Sequence, residues 1–145
     1  MMDIPHITQK TRIEKSIDEV YQTIISAEEW NKWFTDETTI SPHDITLVWT
    51  NWGKERITIK DGGRIVNQIQ DKHFSFEWSP ANQLTTTVSF DLEEAEGGGT
   101  YITVTETGYT KDHLSTLVHC AGGWGEALML LKAYMEYGIK LRTNV

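Results

Sequence analysis

Hydrophobic periodicity limits the folds open to this chain more tightly than any other feature. Between about residue 44 and residue 107, apolar side chains recur at every second position. From Leu117 to Ile139 they recur every third or fourth. A period of two puts alternate side chains on opposite faces of a strand, and a period near 3.6 gathers them on one stripe of a helix. Ile45, Leu47 and Trp49 alternate with Thr46, Val48 and Thr50. Ile57 and Ile59 follow, then Ile65, Asn67 and Ile69, then Phe74, Phe76 and Trp78. Leu84, Thr86, Val88, Phe90 and Leu92 share one face, as do Ile102, Val104 and Glu106. Asp61-Gly62-Gly63, Pro80-Ala81-Asn82 and Gly97-Gly98-Gly99 read as turns between these runs. One apolar face per strand with short connections describes an antiparallel sheet covered on one side.

Two helices precede this region. Ile7, Thr11 and Ile13 mark a first strand within His6–Glu14. Ser16-Ile17-Asp18-Glu19 and Ser26-Ala27-Glu28-Glu29 then each carry the capping-box pattern, Ser followed by Glu three positions on. Two such starts ten residues apart predict two short helices with a sharp bend between them. The C-terminal stripe of Leu117, Cys120, Ala121, Trp124, Leu128, Leu131, Met135 and Ile139 predicts one long amphipathic helix. Gly122, Gly123 and Gly125 interrupt it at about 1 kcal/mol each relative to Ala. They predict a close approach to the helix backbone or a bend. The expected architecture is α+β: a curved antiparallel sheet of about seven strands around a long C-terminal helix, with two short helices after the first strand. With 145 residues, a single domain spanning 1–145 is expected.

Charge excludes several functions. Thirteen Lys and Arg against 21 Asp and Glu give a net charge of −8. Nucleic-acid binding needs a basic footprint, which is missing, and anionic membrane surfaces would repel such a chain. No apolar run reaches the roughly 20 residues of a membrane span. The start, Met1 to His6, has no basic region followed by an apolar stretch, so no secretory signal is expected. Cys120 is the one cysteine, which excludes an intrachain disulfide and points to a reducing, cytoplasmic location. The five histidines lack metal-ligand spacing, so no metal and no cofactor are expected.

Six tryptophans make the aromatic supply unusual. Trp30, Trp33, Phe34, Trp49, Phe76, Trp78, Phe90 and Trp124, with Val104, Leu128 and Leu131, would either pack as core or line a cavity. Trp30, Trp33 and Trp52, near helix ends or in an expected loop, are the best placed for a cavity mouth. Glu106 counts inward by alternation. It would serve as a pocket acid or ligand acceptor, or else reach solvent at the strand end or pair with Arg12 or Arg56. The solvated or paired reading is favoured, because charge near a strand end is usually wet. Asn67 counts inward too and could hydrogen-bond a ligand, unless a bulge turns it out. Tyr134 is a further candidate for orienting a ligand.

Four stretches carry a family resemblance: Ser16-Ile17-Asp18-Glu19-Val20-Tyr21, Trp30-Asn31-Lys32-Trp33-Phe34, Phe74-Ser75-Phe76-Glu77-Trp78, and Thr103 to Tyr109 followed by Gly123-Trp124. In order and spacing the chain resembles the START-like (SRPBCC) superfamily with its helix-grip fold. Within it the chain is similar to the branch named after activators of the heat-shock protein 90 ATPase. Two features depart from that branch: Gln70-Asp71-Lys72 replaces a proline-containing turn, and the extra domain of the eukaryotic co-chaperones is missing. The resemblance implies a cavity between sheet and helix used for hydrophobic ligands. The expected partner is thus a small hydrophobic molecule, aromatic or lipid-like. The alternative is docking on a chaperone or other protein, as the family's link to heat-shock ATPases and stress response implies. Catalysis has thinner support, since Glu106 is the one plausible acid–base group. The oligomeric state stays open.

Overall fold

The computed structural model describes residues 3–141, so Met1, Met2 and the last four positions of the expected domain lie outside the described residues. The chain runs β1 (Ile7–Ile13), α1 (Ile17–Ile25), α2 (Ala27–Trp33), β2 (Glu37–Ile40), β3 (Asp44–Trp52), β4 (Ile57–Ile69), β5 (His73–Ala81), β6 (Leu84–Glu94), β7 (Thr100–Thr107) and α3 (Leu114–Tyr137). The seven strands form a sheet in the order β1-β7-β6-β5-β4-β3-β2. Every neighbouring pair is antiparallel. This is the α+β helix-grip arrangement: a curved sheet, a long C-terminal helix and two short helices after the first strand.

Both serine caps form. The Ser16 hydroxyl accepts from the Glu19 amide at 3.2 Å, and the Ser26 hydroxyl accepts from the Glu29 amide at 3.3 Å. The reciprocal halves of the boxes do not form among the described residues. Glu19 instead accepts from the Ser16 hydroxyl, and Glu29 accepts from the Tyr134 hydroxyl of α3. Ser26 is at once the C-cap of α1 and the N-cap of α2, both in extended conformation, which produces the bend. α2 thereby delivers Trp30 and Trp33 into the core, where both are fully buried. Trp30 Nε1 donates to the Ile24 carbonyl across the bend at 2.8 Å. These two indoles are thus core residues, not rims of a cavity mouth: a one-residue connection lets the short helices fold flat onto the sheet.

The expected turn at Asp61-Gly62-Gly63 is absent, and β4 runs unbroken through it. The glycines serve close approach instead. A Cβ at Gly62 would lie 2.1 Å from the Ile45 carbonyl oxygen, and one at Gly63 2.5 Å from that of Glu77. β4 is pinched between β3 and β5 there, so only residues without a side chain fit. The Asp61 carboxylate helps hold the pinch, accepting from the Gly62 and Ser79 amides at 2.7 and 2.9 Å. The strand count of about seven is nevertheless right, because β2, unforeseen in the sequence, takes the place of the strand lost by this merger.

A second local irregularity moves Asn67. The register of β4 on β5 slips between Ile65 and Asn67. The bulge turns Asn67 out, and its side chain accepts from the Gln68 amide at 2.9 Å in an exposed position. The inward placement expected from strict alternation therefore fails.

α3 ends at Tyr137, since Gly138 adopts a left-handed conformation and caps it, leaving Ile139 outside the helix. Of the three interrupting glycines, Gly125 meets a close neighbour. A Cβ there would sit 3.3 Å from the Gln9 amide, whose nitrogen donates to the Ala121 carbonyl at 3.0 Å. Gly122 and Gly123 face open space.

Replacing Gly62 by Ala should destabilise the fold by about 3 kcal/mol, because the clash is with backbone rather than with a yielding side chain. Urea denaturation monitored by tryptophan fluorescence checks this; an unchanged midpoint would remove the pinch as an account of these glycines.

Candidate functional site

Alternation along β7 buries Thr100, Ile102, Val104 and Glu106 in turn. Glu106 is 0% exposed. Taking a carboxylate out of water is costly unless donors replace the lost hydration. Three do. Trp78 Nε1 donates to Oε2 at 2.8 Å, the Thr86 hydroxyl to the same oxygen at 2.5 Å, and Trp124 Nε1 to Oε1 at 3.0 Å. Trp78 is on β5, Thr86 on β6 and Trp124 on α3, so one carboxylate ties three adjacent strands to the long helix. The favoured expectation of a solvated or Arg-paired strand end is overturned. α3 roofs the end of β7 through Trp124, and Arg12 is engaged with Glu14 and the Gly98 carbonyl instead. Arg56 sits exposed beyond the end of β3.

Two more polar groups adjoin this clamp. Tyr109 is 7% exposed, and its hydroxyl makes no hydrogen bond of ordinary geometry among the described residues. It lies beside the Cys120 thiol and the Glu106 carboxylate. Burial, then those neighbours, push its ionisation well above the usual tyrosine range. Burial likewise pushes the Cys120 thiol up. The neighbouring Tyr109 hydroxyl opposes this, while the negative charges of Glu106 and Asp61 add to it.

In front of the two clamped indoles lies a pocket of about 500 Å³. Phe34, at the C-cap of α2, Trp52, at the end of β3, and Trp78 form the wall away from the helix. α3 supplies His119, Cys120, Gly122, Gly123, Trp124, Glu126, Ala127 and Leu130. The volume falls in the range of small-molecule sites, about 300–1,000 Å³. The glycines make room for it: a Cβ at Gly122 or Gly123 would meet nothing within 4 Å. The aromatic walls are mutually braced. Trp78 and Trp124 lie 5.3 Å apart between ring centroids, Phe34 and Trp124 6.2 Å, and Trp49 backs Trp52 at 6.2 Å.

The residues expected from the sequence to line a cavity or orient a ligand do not stay together. Phe34, Trp78 and Trp124 line the pocket. Trp30, Trp33, Trp49, Phe76, Phe90, Val104, Leu128 and Leu131 are packed in the hydrophobic core behind it. Glu106 lies behind the indoles, and Asn67 is on the surface. Tyr134 belongs to another depression, of about 610 Å³, between α1 and the end of α3. That depression is polar, and its lining groups already pair with one another, as in Tyr134 with Glu29. Trp52, expected at a cavity mouth but in a loop, lines the pocket from the end of β3. Its strand ends in a register shift at Asn51, a non-glycine residue with φ of 52°, which brings Trp52 round beside Trp49. Sequence reasoning missed Cys120, Gly122 and Gly123 as lining, although glycines inside a regular helical stripe were the available signal. Among the described residues no cluster of three or more His, Cys, Asp or Glu side chains is arranged to hold a metal ion.

The comparisons with known proteins agree with this architecture. No curated protein matches the sequence. Among solved structures, the chain is similar to the protein SSP2350 from Staphylococcus saprophyticus, at 20% identity and a TM-score of 0.74, covering 96% of this chain and 97% of that one. It is similar to the Aha1 dimer from Colwellia psychrerythraea, at 21% identity and a TM-score of 0.73, covering 93% and 98%. It also resembles DynU16, a protein of the dynemicin biosynthetic locus, at 15% identity and a TM-score of 0.79, where 96% of this chain covers 50% of that one. At such identities these likenesses show the helix-grip fold. The family's sequence model matches residues 14–136. By that match the chain belongs to the family described as Activator of Hsp90 ATPase homolog 1-like protein, within the START-like superfamily.

Proposed function

We propose that the protein is a binding module that holds a small hydrophobic molecule in the pocket between α3 and the sheet. The observation that carries this reading is the pairing of aromatic walls with a glycine floor. Phe34, Trp52, Trp78 and Trp124 surround about 500 Å³, beside two helical glycines that face open space. Leaving two glycines in the middle of a helix costs about 1 kcal/mol each relative to Ala, a cost with no packing return unless the space is used. Apolar walls supply affinity at roughly 25 cal/mol per Å² buried. The single cysteine suits a reducing compartment, and the cytoplasm is the location we assign to the module. No helix among the described residues is long and apolar enough to cross a membrane.

Docking on a protein partner is the second reading. Leu114, Val118 and Met129, which share one side of α3, are 36%, 70% and 47% exposed and support it. A pull-down in which Val118→Asp abolishes capture of a defined chaperone would favour that reading over the first.

Titration with a panel of aromatic and lipid-like compounds should shift the tryptophan fluorescence, because three indoles line the pocket. Gly123→Leu should fill the space and weaken binding at least about tenfold while holding or raising thermal stability, since Leu is the better helix former. Silence from the whole panel, or unimpaired binding in Gly123→Leu, would sink the proposal.

Cys120 provides an independent probe. Its thiol is raised above the ordinary value of 9.0. The reactive thiolate is therefore scarcer at neutral pH than in an ordinary cysteine, and alkylation should still be accelerating above pH 9.0. A bound ligand should slow the reaction at every pH. Mass spectrometry of iodoacetamide-treated protein measures both effects, and rapid labelling at pH 7 would contradict the first.

A further inference from the structure

The pocket's walls also indicate which kind of hydrophobic molecule fits. The following rests on the ligand-binding reading above and sharpens it. Trp78 and Trp124 each own a single donor, the indole N–H, and each spends it on Glu106 behind the wall. What these two side chains can present to the pocket is ring surface without a donor. A hydrogen bond from N–H to a carboxylate also pushes electron density into the indole, so both rings become more negative on their faces. Phe34 and Trp52 add two further rings.

The electrostatics run the same way. Glu106 is 0% exposed, and among the described residues no Lys or Arg forms an ion pair with it. The pocket lining contains Glu126 and no Lys or Arg. At Cys120, which lines the pocket, burial raises the thiol first and the charges of Glu106 and Asp61 add to it, so the charges that reach this side chain are negative. An anionic headgroup would meet a carboxylate, and a neutral hydrocarbon would leave those charges unanswered. A cation over electron-rich indoles would use both.

We propose that the pocket takes an organic cation, a quaternary ammonium or substituted amine carried on an apolar body, with the cationic head among Trp52, Trp78 and Trp124.

The test compares three probes of similar size on the intact protein: benzyltrimethylammonium, its uncharged carbon isostere neopentylbenzene, and the anion phenylacetate. Affinities come from tryptophan fluorescence, at low salt and in about 0.5 M NaCl, where attraction to exposed charge is largely screened. The expected result is that the cation binds at least about fivefold more tightly than the isostere, with phenylacetate weakest and the preference surviving salt. Trp52→Leu, which leaves the Glu106 clamp intact, should cost the cation at least about threefold more than it costs the isostere. Equal or tighter binding of the isostere or the anion overturns the cation inference and leaves the hydrophobic pocket standing. A preference that vanishes in salt also overturns it, by assigning the attraction to the overall charge of −8. No binding of any probe to folded protein overturns the inference, and the wider panel above then decides the parent reading separately.

Discussion

The buried carboxylate of Glu106 organises the rest of this molecule. It stands on β7 and receives hydrogen bonds from β5, β6 and α3. A sheet and a helix packed by apolar contact alone could slide against each other, because dispersion and hydrophobic burial have little directionality. Three donors converging on two oxygens do have direction. They set the depth and rotation of α3 over the sheet, and with them the orientation of two of the pocket's walls. A buried acceptor with its donors in place rigidifies; with any one removed it becomes a desolvated polar group costing roughly 1–3 kcal/mol or more.

The pocket follows from that constraint together with the glycines. Because Trp124 must reach Glu106, α3 is anchored at one point. Gln9 anchors it at a second, through the Ala121 carbonyl, with Gly125 allowing the amide to come close. Between these ties Gly122 and Gly123 leave the helix surface bare opposite Phe34 and Trp52. Core packing elsewhere is tight: Trp30, Trp33, Phe76 and Phe90 occupy the centre under the sheet and are fully buried. The space left for a guest is therefore at the flank of the grip rather than at its centre. Two of the three indoles that border it, Trp78 and Trp124, have their polar ends turned inward to Glu106, which gives the flank its donor-poor, electron-rich character.

Much of this was legible residue by residue. Ser16 and Ser26 announced two helix starts, since an N-cap interaction is local and needs no tertiary partner. Glu106 counted inward because alternation in β7 holds without a bulge. Where a bulge intervenes the count failed: Asn67 moved to the surface. A one-residue slip reverses every side chain beyond it, and nothing local distinguishes the slipped register from the regular one. Asp61-Gly62-Gly63 misled for a related reason. Glycine serves both a turn and a close strand approach, and only the positions of β3 and β5 decide between them.

The amino-acid sequence by itself determined the two capped helices, the long C-terminal helix and the inward face of β7, because periodicity and capping act over a few residues. It also placed the chain's chemistry: one inward carboxylate, a surplus of indole and a helix weakened by glycine. Only the tertiary structure decided what those parts became. Whether Glu106 met water, arginine or indole depended on α3 crossing the end of β7, a contact between residues 18 positions apart in the chain. Whether the tryptophans filled the core or faced a pocket depended on bends and bulges that redirect whole strands. Such outcomes come from long-range packing, where the gain is shared among many partners and no short stretch of sequence carries it.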